Sequence, residues 1–243
     1  MRLAIIADVH GNYRALDAVL ADISRHSVDR IISLGDNIGY GPEPEEVVSA
    51  LQGYRVLSVM GNHELALISR SYFNRLHANA RQSLVLTKSL LSPASLAWLE
   101  ELPPVYCCFG ARFVHGSPPQ SMTVYLHNPT DTRLHRLFAE FEERFCFAGH
   151  THAFGWYELA GGSIDRYEIQ LAPKTLEPLS RYLILPGSVG QPRDNLGWQA
   201  KYLLWDQETA VMEIRAVEYD VQTTIHLINE RGFPVVNGKR LYW

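Results

Sequence analysis

The chain has 243 residues, 47% of them hydrophobic and 20% charged, with a formal net charge of -4. That length can bury a core without staples, the composition excludes a disordered or fibrous class, and the acidic balance argues against a generic nucleic-acid-binding surface. The three cysteines, Cys107, Cys108 and Cys146, form no CxxC pair; with no leader pattern and no run near the roughly 18 apolar residues of a membrane span, the expectation is a cytoplasmic protein that does not contact membranes.

Residues 3–7 (LAIIA) read as a short strand buried on both faces, running into Asp8-Val9-His10-Gly11-Asn12. Leu16, Val19, Leu20 and Ile23 then fall at helical spacing over 13–25, and residues 30–34 form a second strand that ends in Gly35-Asp36-Asn37-Ile38-Gly39-Tyr40-Gly41. Such a βαβ unit is parallel and right-handed, so Asp8 and Asp36 arrive at neighbouring strand ends and can share a metal. A helix is expected over 42–53, with Pro44 near its start and Gly53 at its stop. A third strand, 54–60, ends in Gly61-Asn62-His63-Glu64.

From 65 to 102 only helical periodicity remains, an insertion placed to wall the cluster at the strand ends. Strands follow at 105–109 and 111–114, the second ending in His115-Gly116-Ser117-Pro118, then a helix near 131–142 and a strand at 144–148 ending in Gly149-His150-Thr151-His152. The last third is richer in strand signals: 154–159, 164–169, 181–185, 202–205 and 210–217. A Pro/Gly loop spans 186–194 and includes Arg193, and the end reads as a helix over 221–230 followed by a tail to Trp243. No repeat or linker composition divides the chain, so one domain over 1–243 is expected.

Five of the ten histidines, His10, His63, His115, His150 and His152, sit in polar turns just after apolar strands. Any one alone reads as a loop histidine, but turn chemistry requires Gly, Asn and Asp and never imidazole. Asp8, His10, Asp36, Asn62, His115, His150 and His152 together offer two carboxylates, an amide and four imidazoles. That oxygen and nitrogen set suits Mn, Fe, Zn, Ni or Co better than Ca or Mg, and a pair of divalent metals is the natural use of so many ligands, with Mn the first expectation.

The ordered motifs DVHGN, GDNIGYG, GNHE, VHG and GHTH resemble those of the calcineurin-like metallophosphoesterases, particularly their compact bacterial and archaeal phosphodiesterase branch, and GSVGQPRD at 187–194 is similar to a further segment of it. The resemblance implies an α/β fold of two mixed β-sheets packed as a sandwich flanked by helices, four αββα layers, here with the helical insertion. It implies one metal on Asp8, His10 and His152, a second on Asn62, His115 and His150, and Asp36 bridging them. A metal-bridging hydroxide then attacks phosphorus in line while His63 serves the leaving oxygen. The implied activity is hydrolysis of a phosphodiester or a small phosphorylated metabolite.

Protein Ser/Thr phosphatases and dinucleoside polyphosphate hydrolases are the alternatives within that class, but those relatives place an arginine in a GDxxDRG pattern where this chain has GDNIGYG. A non-catalytic protein-binding scaffold is the alternative of another class, and such relatives tend to lose ligands that are all present here. Arg193 and Asn12 are further substrate-binding candidates, although Asn12 equally suits a helix cap and Arg193 an exposed loop. Glu64 reads as a first-turn acid or an outer partner of the ligands. Tyr40 can line the pocket or pack; His26, His77, His127, His135 and His226 read as structural, with His77 the one to watch in the insertion. A small phosphorylated substrate is the expected partner, and homo-oligomerisation is compatible with the sequence.

Overall fold

The computed structural model describes residues 1–168, 170–194 and 196–242. Its strands are β1 (Arg2–Ile6), β2 (Arg30–Ser33), β3 (Leu57–Ser58), β4 (Val105–Cys108), β5 (Ala111–Val114), β6 (Phe145–Ala148), β7 (Phe154–Ala160), β8 (Ser163–Arg166), β9 (Lys174–Thr175), β10 (Arg181–Pro186), β11 (Ala200–Asp206) and β12 (Val211–Val217). The helices are α1 (Tyr13–Ile23), α2 (Pro44–Gly53), α3 (Asn62–Ile68), α4 (Arg70–Phe73), α5 (Ala78–Leu90), α6 (Pro93–Glu100), α7 (Asp131–Ala139), α8 (Val221–Glu230) and α9 (Val235–Lys239).

The strands form two mixed six-stranded sheets, ordered β3-β2-β1-β11-β12-β9 and β4-β5-β6-β10-β7-β8. Period-two alternation explains how they stack. Along β1, Ala4 and Ile6 face α1, α2 and α8, while Leu3, Ile5 and Ala7 face the second sheet. Along β6, Phe145 and Phe147 meet that same inter-sheet core, whereas Cys146 and Ala148 turn outward to α7. Each fully buried Leu or Ile in these layers contributes about 1.5–3 kcal/mol. The outcome is the expected helix-sheet-sheet-helix sandwich.

The insertion brings its own core. Leu84, Leu91, Leu99 and Leu102 from α5, α6 and their flanks pack on Ile38 and Val48, so the helices clamp the loop after β2. Thr87 of α5 fixes that loop directly, its hydroxyl donating to the carbonyl of Gly39 at 2.9 Å.

Several boundaries differ from the sequence reading for local reasons. The third strand is shorter than 54–60 because Tyr54 and Arg55 are spent ending α2, with Arg55 at φ +53, and because the Met60 amide pairs with Pro103 instead of a strand. The strand expected over 164–169 is β8, which ends at Arg166, and Ile169 lies outside the described residues. The expected tail instead folds as α9 and a 3-10 turn over Arg240–Tyr242, while Trp243 lies outside the described residues. Asn237 ties α9 down, its amide donating to the Tyr40 carbonyl at 2.8 Å and the Ser83 hydroxyl at 2.9 Å. Among the described residues no helix is long and apolar enough to cross a membrane.

Candidate metal centre

The loops after β1, β2, β5 and β6 gather at one rim of the sandwich, where main-chain hydrogen bonds zip them together. The amides of Asp8, His10 and Gly11 donate to the carbonyls of Gly35, Asp36 and Asn37, and the amide of Gly149 donates to that of His115. Val189 and Gly190 donate to Ala7 and Asp8, which ties in the loop after β10. Within these turns Asp8, His10, Asp36, His150 and His152 all hold left-handed backbone, with φ between +51 and +68. Each such residue costs of order 1–3 kcal/mol that the surrounding fold must offset. The strain swings the side chains of successive strand ends inward to a common point.

Four imidazoles meet there with their protons turned outward. His10 Nδ1 faces the Ile38 carbonyl at 3.2 Å, His152 Nδ1 the Gln191 carbonyl at 2.8 Å, His115 Nδ1 the Leu34 carbonyl at 2.8 Å, and His150 Nε2 the Thr123 carbonyl at 3.3 Å. A carbonyl only accepts, so each outward nitrogen carries the N–H and each inward nitrogen has a lone pair in the neutral ring. The inward nitrogens then confront one another, His10 Nε2 to His152 Nε2 at 2.9 Å and His115 Nε2 to His150 Nδ1 at 3.0 Å. Lone pairs at that distance repel unless a proton or a metal cation lies between them. Histidines backed by a main-chain acceptor are also the usual habit of metal ligands.

The oxygens complete two overlapping groups. Ligand atoms of Asp8, His10, Asp36 and His152 lie within 4.8 Å of one another, as do those of Asp36, His115 and His150. Asn62, the first residue of α3, brings its Oδ1 to 3.1 Å from His115 Nε2. Asp36 is common to both groups, its Oδ2 lying 3.7 Å from His10 Nε2 and 3.3 Å from His115 Nε2. All seven side chains are buried.

Charge follows from that burial. It pushes the Asp8 carboxyl up to about 8, although the His150 amide donates to both its oxygens, and holds His10 and His152 well below the ordinary imidazole range. Burial, reinforced by His115, brings His150 down to about 3. At His115 burial opposes the imidazolium, but Asp36, Asp8 and Glu64 outweigh it and raise the group to about 9. The cluster is thus rich in lone pairs and carboxylates that demand positive charge. Divalent cations fit that donor set.

Behind the ligands, Glu64 holds two loops in register. Its Oε1 accepts from the amides of Asn37 and Ile38, its Oε2 from those of Asp36 and Gly61. Burial and the Asp36 charge push this carboxyl up to about 7, while the amide donors pull the other way. Glu64 is therefore an outer partner of the ligands. Gly61 is needed beside it, because a Cβ there would lie 2.2 Å from Asp36 Oδ1.

His63 lies at the edge of the cluster, its ring 4.7 Å from that of His10 and 4.7 Å from that of Tyr40, both edge-on. Its amide donates to Asp36 Oδ1 at 2.8 Å, and its Nδ1 is buried without a hydrogen-bond partner. Burial, with His115 and Arg193, lowers its pKa. Tyr40 also packs on His10, at 4.8 Å, so it lines the site.

Arg193 is exposed, its amide donating to the His152 carbonyl and its Nη2 to Gln191 Oε1 at 2.7 Å. Its charge reaches His152, His10 and Tyr40. The loop that carries it is pinned from below by the buried pair of Lys201 Nζ and Asp194 Oδ1 at 3.1 Å. Asn12 is committed inside the fold: its Oδ1 caps α1 at Ala15 and accepts from Thr224, and its Nδ2 donates to Gly190 and Tyr219.

Of the remaining histidines, His77 stands exposed at the start of α5, and the insertion residue electrostatically coupled to the cluster is Tyr72, whose hydroxyl pKa is raised by burial and by Asp36. His26 sits 3.7 Å from Asp22 and His226 3.7 Å from Glu230, each one helical turn away, while His135 is exposed on α7. The sequence reading missed Tyr125, whose ring stacks on His150 at 3.6 Å, and took His127, stacked on Tyr125, as structural. No periodicity marks that segment.

Comparison with known proteins identifies relatives of the same fold. The sequence model of the family described as calcineurin-like phosphoesterase matches residues 1–154. An uncharacterised protein of Methanocaldococcus jannaschii is 31% identical over 251 residues, covering 99% of this chain and 97% of that one. The crystal structure of a metallophosphoesterase from Sphaerobacter thermophilus is 33% identical, with a TM-score of 0.84 and coverage of 99% and 98%. A hypothetical protein from Pyrococcus horikoshii, 21% identical, shares the fold with a TM-score of 0.82 and coverage of 99% and 97%. With the motif-bearing part matched and the fold shared end to end, the chain belongs to the calcineurin-like phosphoesterase family of hydrolases.

Proposed function

We propose that the chain is a dinuclear-metal-dependent phosphoesterase, one domain over its whole length, that hydrolyses a phosphodiester or a small phosphorylated metabolite. Asp8, His10 and His152 hold one divalent cation, Asn62, His115 and His150 the other, and Asp36 is shared; the mixed oxygen and nitrogen set favours Mn. The observation that carries this reading is the convergence of imidazole nitrogens, paired at 2.9 and 3.0 Å, on either side of the common Asp36. The cations, when bound, supply Lewis acidity that activates water near neutral pH and neutralises phosphoryl oxygens.

The chain's own groups supply the remainder. His63 Nδ1 is buried, which leaves Nε2 to face substrate. An anionic phosphoester beside that ring favours the imidazolium against burial and the neighbouring positive groups, and so places a proton where the leaving oxygen departs. Arg193 supplies a guanidinium at the exposed rim for a non-bridging oxygen. With tyrosine and glycine in the Asp36 loop where an arginine would clamp a terminal phosphate, the rim suits the single charge of a diester.

The test is hydrolysis of bis(4-nitrophenyl) phosphate with and without added Mn. Activity should rise with Mn, and Asp36→Asn should remove most of it. Full activity in metal-stripped Asp36→Asn protein would overturn the proposal.

A further inference from the structure

The two halves of the cluster are braced differently. His10 is enclosed by buried or half-buried rings, stacked on His152 at 4.6 Å with Tyr40 and His63 against it, and the acceptors behind His10 and His152 belong to Ile38 and Gln191, both buried. His150 depends instead on the segment between β5 and α7. The Thr123 carbonyl receives its outward N–H, and the Tyr125 ring, 45% exposed, lies over its imidazole at 3.6 Å with the planes 21° apart.

That segment is itself tethered. The Ser121 hydroxyl oxygen accepts from the amides of Thr123 and Val124, Arg133 of α7 donates to the Tyr125 carbonyl at 2.6 Å, and Leu126 is buried in the core beneath α7. His127 stacks on Tyr125 at 5.0 Å, nearly parallel. His150 is thus fixed by a surface strap, whereas His10 and His152 are fixed by the interior.

We infer that Tyr125 is a positioning residue for His150, and that the strap sets the affinity of the His115–His150–Asn62 half of the cluster independently of the other half. A ligand whose ring can swing binds its cation less tightly; loss of a hydrogen-bonded outer partner typically weakens a metal about 10–100-fold, and freeing the ring from the Tyr125 stack loosens the bond of His150 to the Thr123 carbonyl. The inference rests on the two-cation reading proposed above.

Mn titration calorimetry tests it, supported by electron paramagnetic resonance at saturating and limiting Mn. Tyr125→Ala should weaken one of two sites about 10–100-fold and leave the other unchanged, so that at intermediate Mn an uncoupled mononuclear signal replaces the exchange-coupled one. Tyr125→Leu should behave like Tyr125→Ala, and Tyr125→Phe, which keeps the stack, should match the natural protein. Melting in the presence of chelator checks that each variant folds. Two unchanged sites in Tyr125→Ala, equal weakening of both sites, or the same loss in Tyr125→Phe would overturn the inference. Fewer than two sites in the natural protein would instead overturn the two-cation reading, and this inference with it.

Discussion

Gly39 offers a way to move the proposed acid without touching a metal ligand. A Cβ at this position would lie 2.2 Å from His63 Nδ1, 2.9 Å from its Cε1 and 3.0 Å from its Cγ, with φ at +132. Ordinary contact needs more than 1 Å of additional room at the nitrogen, and Gly39 cannot retreat because Thr87 of α5 holds its carbonyl. In Gly39→Ala the imidazole must therefore give way. A displacement of about 1 Å in a reacting group costs roughly 10²-fold in rate, and the forbidden backbone angle adds about 1–3 kcal/mol of instability. The assay is kcat on bis(4-nitrophenyl) phosphate at saturating Mn, with metal content measured by mass spectrometry on the same sample. The expected result is kcat lower by about 10²-fold at unchanged Mn stoichiometry. A folded Gly39→Ala protein with kcat within about threefold of the natural enzyme would refute the placement of His63 at the reacting bond.

Two further substitutions separate charge from shape. Glu64→Gln keeps the volume but puts an amide NH2 against two main-chain N–H donors whichever way it turns, so thermal melting should show a loss of about 1–3 kcal/mol or more, accompanied by weaker Mn binding measured calorimetrically. Burial opposes ionisation of Asp22, but hydrogen bonds from Arg215 and Tyr202 outweigh it and hold the carboxyl below its ordinary range. Because the folded-state value is depressed, this stability is complete above the unfolded value of about 4 and is lost as pH falls through the folded one. The melting temperature of Asp22→Asn should consequently lie below that of the natural protein at pH 7, with the gap closing under acid titration.

The cluster of candidate ligands was legible because short parallel strands have only one place to deliver polar side chains. Asp8, Asp36, His115 and His150 all follow apolar runs, and their order along the chain becomes proximity once two sheets stack rim to rim. Tyr125 and Thr123 were illegible for the opposite reason: the strap has no period, and its aim at His150 exists only after β5 and β6 pair. Asn12 shows the limit from another side, since its sequence position suits a helix cap or a phosphate contact equally, and only the arrival of Thr224 and Tyr219 from the C-terminal part commits its amide.

The left-handed turns carry the remaining lesson. Five of the ligand candidates hold positive φ, a region that Asp, Asn and His tolerate better than most side chains. The residue types that coordinate a metal are therefore also among those able to make the turn that aims them. Glycine at such a position would relieve the backbone and lose the ligand. Alanine would lose the ligand and keep the strain. This double requirement accounts for why an acid or an imidazole closes one apolar strand after another.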